Sequence, residues 1–276
     1  MKDEKGIAIS GTTKIFGCIA HPTDHVRAPS IFNPEFQAKG QDAVMIPIDI
    51  EPDKIKDGID GLRAMPNFMG SAVTIPHKMT IASLCDELSD VAKITGAVNA
   101  IRFEKGKLKG ENFDGAGFVA GLYGEGHHID GQRCLIIGAG GAARAIAYSL
   151  CGEPIAHLDI YNRTTEKASA LVQAVLAEKP DAQITVVPDL HVENYDVVIN
   201  ATSLGLKDTD SLPCDPDKLS KSALVCDIIM VPEQTALLKA ATARGLKCHY
   251  GRHMLDYQKA LISSFIGADD VASSLS

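Results

Sequence analysis

Gly138-Ala139-Gly140-Gly141-Ala142-Ala143 follows the apolar run RCLII and opens onto AARAIAYSL, whose apolar spacing is helical. Three of these small residues have a job if an anion docks there. Gly138 permits a tight turn, Gly140 leaves no side chain between the backbone and a phosphate, and Ala143 allows the helix to pack closely on the strand. The first N–H groups of a helix have no internal partner and lie at the positive end of its dipole, so the turn can cradle a pyrophosphate. G-x-G-x-x-A in this strand–turn–helix setting is the dinucleotide fingerprint. A glycine turn without a ligand is the plainer alternative, and the flanking strand and helix argue against it.

The next apolar strand ends in Tyr161-Asn162-Arg163-Thr164, with Lys167 one turn further on. Here a dinucleotide fold reads the adenosine ribose: a carboxylate accepts from a 2′-hydroxyl in NAD binders, and an arginine meets the 2′-phosphate in NADP binders. No acid stands at the strand end, and a guanidinium suits a phosphate. Asp159 lies upstream, on the strand itself. NADP is therefore favoured, with NAD still compatible. In the plainer reading Arg163 is a solvated charge and Thr164 only a helix cap.

Two other stretches could move protons. SAVTIPHK (71–78) places Lys78 just beyond a strand and a proline, and Asn112-Phe113-Asp114 places a carboxylate at a helix start. Oxidation of an alcohol needs a base for the hydroxyl proton, and a lysine oriented by a carboxylate can serve. Spacing alone does not pair them, since lysines after strands and aspartates in first helical turns are common.

These residues need a frame. Apolar runs at 14–20, 43–50, 71–75, 133–139, 157–162, 183–188, 196–201 and 223–229 alternate with helix-period segments near 29–39, 52–64, 79–94, 115–123, 141–151, 165–178, 234–244 and 253–266. That alternation predicts an α/β protein with parallel sheet, built as βαβ units. VNAIRFEKGKLKGEN (98–112) reads as a hairpin turning at Glu104–Lys107, and GEGHHIDGQ (124–132) as an inter-domain or inter-element loop. The 276 residues suffice for one large or two ordinary domains. A net charge of −8 speaks against nucleic acid or an anionic membrane as partner. No apolar run approaches the roughly 18 to 20 residues of a membrane helix. The start, MKDEKGIAIS, lacks the apolar core of a secretory signal, and the tail ADDVASSLS is expected to fray. Seven scattered cysteines without a CxxC pair predict reduced thiols in a cytoplasmic protein and no metal site.

Taken in order, the motifs carry a resemblance over nearly the whole chain. Ala72-Val73-Thr74-Ile75-Pro76-His77-Lys78 is similar to N-V-T-x-P-x-K, and Gly96-Ala97-Val98-Asn99-Ala100 to G-A-x-N-T. Gly110-Glu111-Asn112-Phe113-Asp114 is similar to G-x-N-T-D, Asn200-Ala201-Thr202-Ser203-Leu204-Gly205 to N-A-T-S-x-G, and Gly251-Arg252-His253-Met254-Leu255-Asp256-Tyr257-Gln258 to G-x-x-M-L-x-x-Q. The ordered set resembles the shikimate dehydrogenase family with its quinate relatives. The resemblance implies two α/β domains with a cleft between them: a substrate domain over 1–113, rejoined by a C-terminal helix over 252–276, and a Rossmann NADP domain over 114–251. It implies Lys78 and Asp114 as catalytic acid–base pair, Thr74, Asn99 and Gln258 as partners of a polyhydroxylated ring, and Thr202, Ser203, Gly251 and Met254 against the cofactor. It leaves monomer or homodimer open.

The departures lie on the substrate side. The family's H-S-x-S-P, whose serines hold the substrate carboxylate, aligns with His25-Val26-Arg27-Ala28-Pro29, so Val26 and Ala28 stand where hydroxyls are expected. Ala72 replaces an asparagine, Phe113 a threonine and Met230 a tyrosine. Three explanations compete: Arg27 clamps the carboxylate instead, the substrate lacks it or carries a larger, more apolar group, or Arg27 points to solvent as strand alternation favours. The resulting expectation is an NADP-dependent dehydrogenase of a shikimate- or quinate-like cyclic polyol. A shikimate dehydrogenase with an altered carboxylate grip and a catalytically silent dinucleotide-binding regulator are the alternatives.

Overall fold

The computed structural model describes residues 8–24 and 26–272, so His25 and the last four residues of the tail lie outside the described residues. The chain divides into two compact units: one comprises the residues up to Phe113 and those from Ala260 on, the other is Asp114–Lys259.

The first unit holds a six-stranded sheet of β1 (Lys14–Ala20), β2 (Ala43–Asp49), β3 (Phe68–Val73), β4 (Glu87–Leu88), β5 (Ala100–Glu104) and β6 (Lys107–Glu111), ordered β2-β1-β3-β5-β6-β4. The sheet is mixed rather than parallel throughout: β1 pairs in parallel with β2 and β3, whereas β5 runs antiparallel to β3 and β6. The expected hairpin turns through Lys105 (φ 50°) and Gly106 (φ 79°), both on the left-handed side as a two-residue turn of matching twist requires. Side-chain alternation divides the core between the two faces. Phe16, Cys18 and Ala72 pack with Phe32 and Phe36 of α1 (Ala28–Ala38) on one face, and Ile19 and Val73 pack with Ile55 and Ile59 of α2 (Ile55–Arg63) on the other.

One expected helix is overturned. The segment 79–94 forms α3 (Lys78–Leu84) and α4 (Asp90–Thr95), separated by β4. Edge pairing outcompetes helical spacing here: the Asp86 carboxylate accepts from Leu108 N (2.6 Å) and Arg63 (2.9 Å), and Glu87-Leu88 joins β6. Ser89 then caps α4 by accepting from Ala92 N.

The second unit contains α5 (Asp114–Gly124), β7 (Arg133–Ile137), α6 (Gly141–Leu150), β8 (His157–Tyr161), α7 (Thr165–Glu178), β9 (Ile184–Val186), β10 (Val197–Asn200), β11 (Leu224–Asp227), α8 (Ala236–Ala243), β12 (Lys247–His249) and the start of α9 (Gly251–Ile266). All its pairings are parallel and the order is β12-β11-β10-β7-β8-β9, the doubly wound arrangement in which ligands bind at the carboxyl ends of the strands, where the order reverses. Both sheet faces are covered, which explains why β7 and β10 read as unbroken apolar runs. GEGHHIDGQ joins α5 to β7 inside this unit. Sequence spacing missed β4 and β12, both very short.

Candidate functional site

The order of the second sheet reverses between β7 and β10, and the glycine-rich turn leaves β7 there. Gly138 has φ 122°, and a Cβ on it would stand 2.6 Å from the carbonyl oxygen of Ala201. Only glycine fits both conditions. Gly140 and Gly141, at the start of α6, have open space where a side chain would be, while Ala143 is fully buried against the sheet. With Ala139 and Ala142 these residues form a cradle whose backbone is bare on one side, the form a pyrophosphate needs. Beyond β8, Asn162 Nδ2 donates to the carbonyl of Thr164 (2.8 Å), and Arg163, Thr164 and Lys167 are exposed. Asp159 is buried and taken up by Arg133, His157, Thr185 and Tyr195, so its carboxylate belongs to the sheet. Burial pushes its pKa up, but these partners hold it net below the usual range. The residues fit a dinucleotide, with two cations offered at the ribose end.

Across the reversal, Thr202 is half-buried and Ser203 exposed. Their loop is fixed from beneath by fully buried Asn200, whose Oδ1 accepts from Thr202 N (3.1 Å) and Oγ1 (2.7 Å) and whose Nδ2 donates to Leu204 O (3.0 Å) and Asp227 Oδ2 (3.1 Å). Asp227 also accepts from Thr235 Oγ1 (2.7 Å) and Ile229 N (3.0 Å). Burial raises the pKa of this carboxyl against all three hydrogen bonds. Sequence reasoning did not single out Asp227, although an acid closing the apolar run LVCD is the signal that could have found it. A Cβ on Gly251 would meet Ile228 O and Ile229 O at 2.5 Å, so the glycine lets α9 start against that loop. Met254 is buried in the core of this unit, and Gln258 Nε2 donates to Met254 O (3.2 Å). A depression of about 430 Å³ lined by His127, His128, Asp196 and Lys247 lies at the amino ends of β10 to β12, the wrong end for a doubly wound sheet.

In the first unit, Thr74 lies just past β3, which runs 68–73 rather than 71–75. Its N–H donates to Ile19 O (3.0 Å), and His77 N donates back to Thr74 O (3.0 Å). His77 is buried and its Nε2–H donates to Ile50 O (2.8 Å), fastening the turn that ends at Lys78. Lys78 is half-buried at the first position of α3, and its carbonyl accepts from Val98 N (2.9 Å). A cation there opposes the helix dipole, a placement that local stability does not favour. The neighbouring Asn99 is buried; its Oδ1 accepts from Phe113 N (2.9 Å) and its carbonyl from Val73 N (2.8 Å). The expected catalytic Lys78 and the expected substrate residues Thr74 and Asn99 therefore belong to one hydrogen-bonded corner. Val26 and Ala28 are half-buried against the core, while Arg27 between them is exposed; the segment is not the strand expected, since Arg27 is the N-cap of α1, and entry into the helix rather than strand alternation leaves it exposed. Asp114 starts α5, the first residue of the second unit.

Residues 18–101 match a family described as the shikimate dehydrogenase substrate binding domain, and 124–212 match shikimate / quinate 5-dehydrogenase. A shikimate dehydrogenase (NADP(+)) of Rubrobacter xylanophilus is 37% identical over 254 residues, covering 91% of this chain and 89% of that protein. The solved structure of shikimate 5-dehydrogenase from Listeria monocytogenes, in complex with shikimate and NAD, superposes with a TM-score of 0.84 at 30% identity, covering 94% and 93% of the two chains. The ligand-free 5-ketofructose reductase of a Gluconobacter strain superposes with a TM-score of 0.80 at 32% identity, covering 91% and 92%.

Proposed function

Because the chain belongs to the shikimate dehydrogenase family, we propose that it interconverts a hydroxyl and a ketone of a shikimate- or quinate-like cyclic polyol with NADP. The family makes it a dehydrogenase acting on a CH–OH group. The observation that carries the finer reading is Lys78, held at a helix start beside Thr74 and Asn99 by the ties of the Ile19, Ile50 and Val98 backbone.

NADP, when bound, supplies the acceptor for the carbinol hydrogen and its two electrons. The chain's own residues have the remaining work. Gly138 to Ala142 would hold the pyrophosphate through backbone N–H groups, and Arg163, with Lys167, Asn162 and Thr164, would hold the 2′-phosphate. Thr202, Ser203, Gly251 and Met254 complete that side. Lys78 takes the hydroxyl proton in oxidation and returns it in reduction, with Asp114 as its orienting carboxylate. Thr74, Asn99 and Gln258 hydrogen-bond the remaining hydroxyls. The seven free thiols suit a reducing, cytoplasmic compartment. A ketofructose reductase among the structural neighbours keeps the carbonyl substrate open to compounds other than shikimate.

The test is a screen for formation of reduced nicotinamide with NADP and NAD against shikimate, quinate and other cyclic polyols. Turnover with NADP is expected. Cofactor binding by calorimetry without turnover of any polyol would overturn the enzymatic reading in favour of a silent dinucleotide-binding regulator.

A further inference from the structure

Resting on the dehydrogenase reading, we infer that the substrate carries no carboxylate: it is an uncharged polyhydroxylated alcohol, with its ketone as partner. The first unit sets the polar corner of Thr74, Lys78 and Asn99 directly against an apolar wall. Phe113, whose N–H donates to Asn99 Oδ1 (2.9 Å), packs edge-on against Phe265 with ring centroids 5.7 Å apart. Val26, Ala28 and Ala72 of β3, which stands two positions before Thr74, belong to the same apolar cluster. The group of a substrate that reaches past Asn99 meets methyl groups and ring edges.

A carboxylate there needs a cation or several convergent donors, because desolvating an unpaired ion is far costlier than desolvating a hydroxyl. Among the described residues, the arginines and lysines near this wall are exposed, paired with acids or engaged at the reacting hydroxyl. Arg27 stands between Val26 and Ala28 and is exposed. Arg102 lies behind the aromatic pair, where its guanidinium donates to Phe265 O (3.4 Å) and to the Asp270 carboxylate (3.4 Å). Arg63 and Lys39 are paired with Asp86 and Glu35. Lys78 is the cation of the polar corner, and proton transfer at the reacting hydroxyl claims it. An uncharged substrate has no such need: its hydroxyls use Thr74 and Asn99, and its apolar edge buries against Phe113 and Val26.

Shikimate and its methyl ester differ at this end chiefly in charge, so they are the decisive pair. With NADP-loaded protein, kcat/KM for the ester is expected to exceed that for the free acid by about 100-fold or more, and calorimetry should rank their affinities in the same order. A free acid turned over as well as the ester would overturn the inference and leave the dehydrogenase reading standing. Turnover of neither, nor of any uncharged cyclitol, would bring down the dehydrogenase reading and this inference with it. Val26→Ser with Ala28→Ser puts two hydroxyl donors into the wall and should narrow the ester-to-acid ratio by about 10-fold. A ratio unmoved in the folded double variant, judged by its melting temperature, would show that the wall does not select against charge.

Discussion

The two sheets present unlike rims. At the carboxyl ends of β7, β8 and β10 the chain is bare backbone, small residues and exposed cations, with a buried Asn200–Asp227–Thr235 network holding the loop above. At the carboxyl ends of β1 and β3 it offers one lysine, a threonine, a buried asparagine and then methyl groups and phenyl rings. The first rim is matched to a large polyanion that must be held the same way whatever is reduced or oxidised. The second is matched to something small that is recognised by few hydrogen bonds and by fit. The difference is sharpest at Lys78, the residue to which the proposed function gives the second rim's chemistry. Lys78→Ala should lower kcat about 10³-fold, near 4 kcal/mol in the barrier, and leave NADP affinity from calorimetry almost unchanged. Near-normal turnover would remove the distinction between a chemical rim and a cofactor rim.

The second unit also holds a liability. His249, on β12, is fully buried and its Nε2 has no hydrogen-bond partner. It faces Phe118 and Gly121 of α5, His127 of the following loop, and His253 of α9, whose Nδ1 lies 3.3 Å from its own Nδ1. Burial, helped by His253 and His127, pushes its pKa down to about 3. The neutral ring is therefore the folded form, while the unfolded chain takes up a proton near the ordinary value of about 6.5. Stability is complete above that value and falls as pH drops from about 6.5 toward 3, by up to about 4 kcal/mol. Urea midpoints across that window should show the loss, and His249→Phe, which keeps an aromatic ring, should flatten it. Parallel curves for the two proteins would mean that other groups set the acid transition.

A smaller effect, of about 2 to 3 kcal/mol, is expected from Gly138→Ala. The left-handed φ and the 2.6 Å approach to Ala201 O leave a methyl group no place, so melting temperature and NADP affinity should fall together. Retained affinity would show the turn to be looser than its contacts require. This position also shows what the sequence can reveal. Gly138, the helix after it and the exposed strand end at Arg163 follow from local rules, because a tight turn and a free helix end have fixed chemical demands. The long amphipathic α7 and the hairpin at Lys105-Gly106 were legible for the same reason. The helix expected over 79–94 was not, because the Asp86–Leu108 bond that breaks it joins positions far apart in sequence. Asp227 and the histidine trio escaped likewise, since their roles arise only when strands and helices assemble. Whether Arg27 faced inward was undecidable until Val26 and Ala28 were seen against Phe32 and Phe36.

The smallest effect tests the cofactor rim itself. Arg163 is exposed beyond β8, and no carboxylate stands at that strand end, since Asp159 is buried among Arg133, Thr185 and Tyr195. A charge-assisted hydrogen bond to a phosphate contributes about 1.5 to 3 kcal/mol, with the lower part of that range fitting an exposed side chain. Arg163→Ala should therefore weaken NADP by about 10- to 30-fold and leave NAD within about two-fold, measured as Kd by calorimetry. Lys167→Ala, whose charge sits one turn further along α7, should act in the same direction by less. If both cofactors weakened equally, Arg163 would be supporting the loop rather than reading the 2′-phosphate. A carboxylate introduced next to it, Asn162→Asp, would then still be expected to favour NAD, because its charge repels a phosphate and accepts from a 2′-hydroxyl wherever the arginine points.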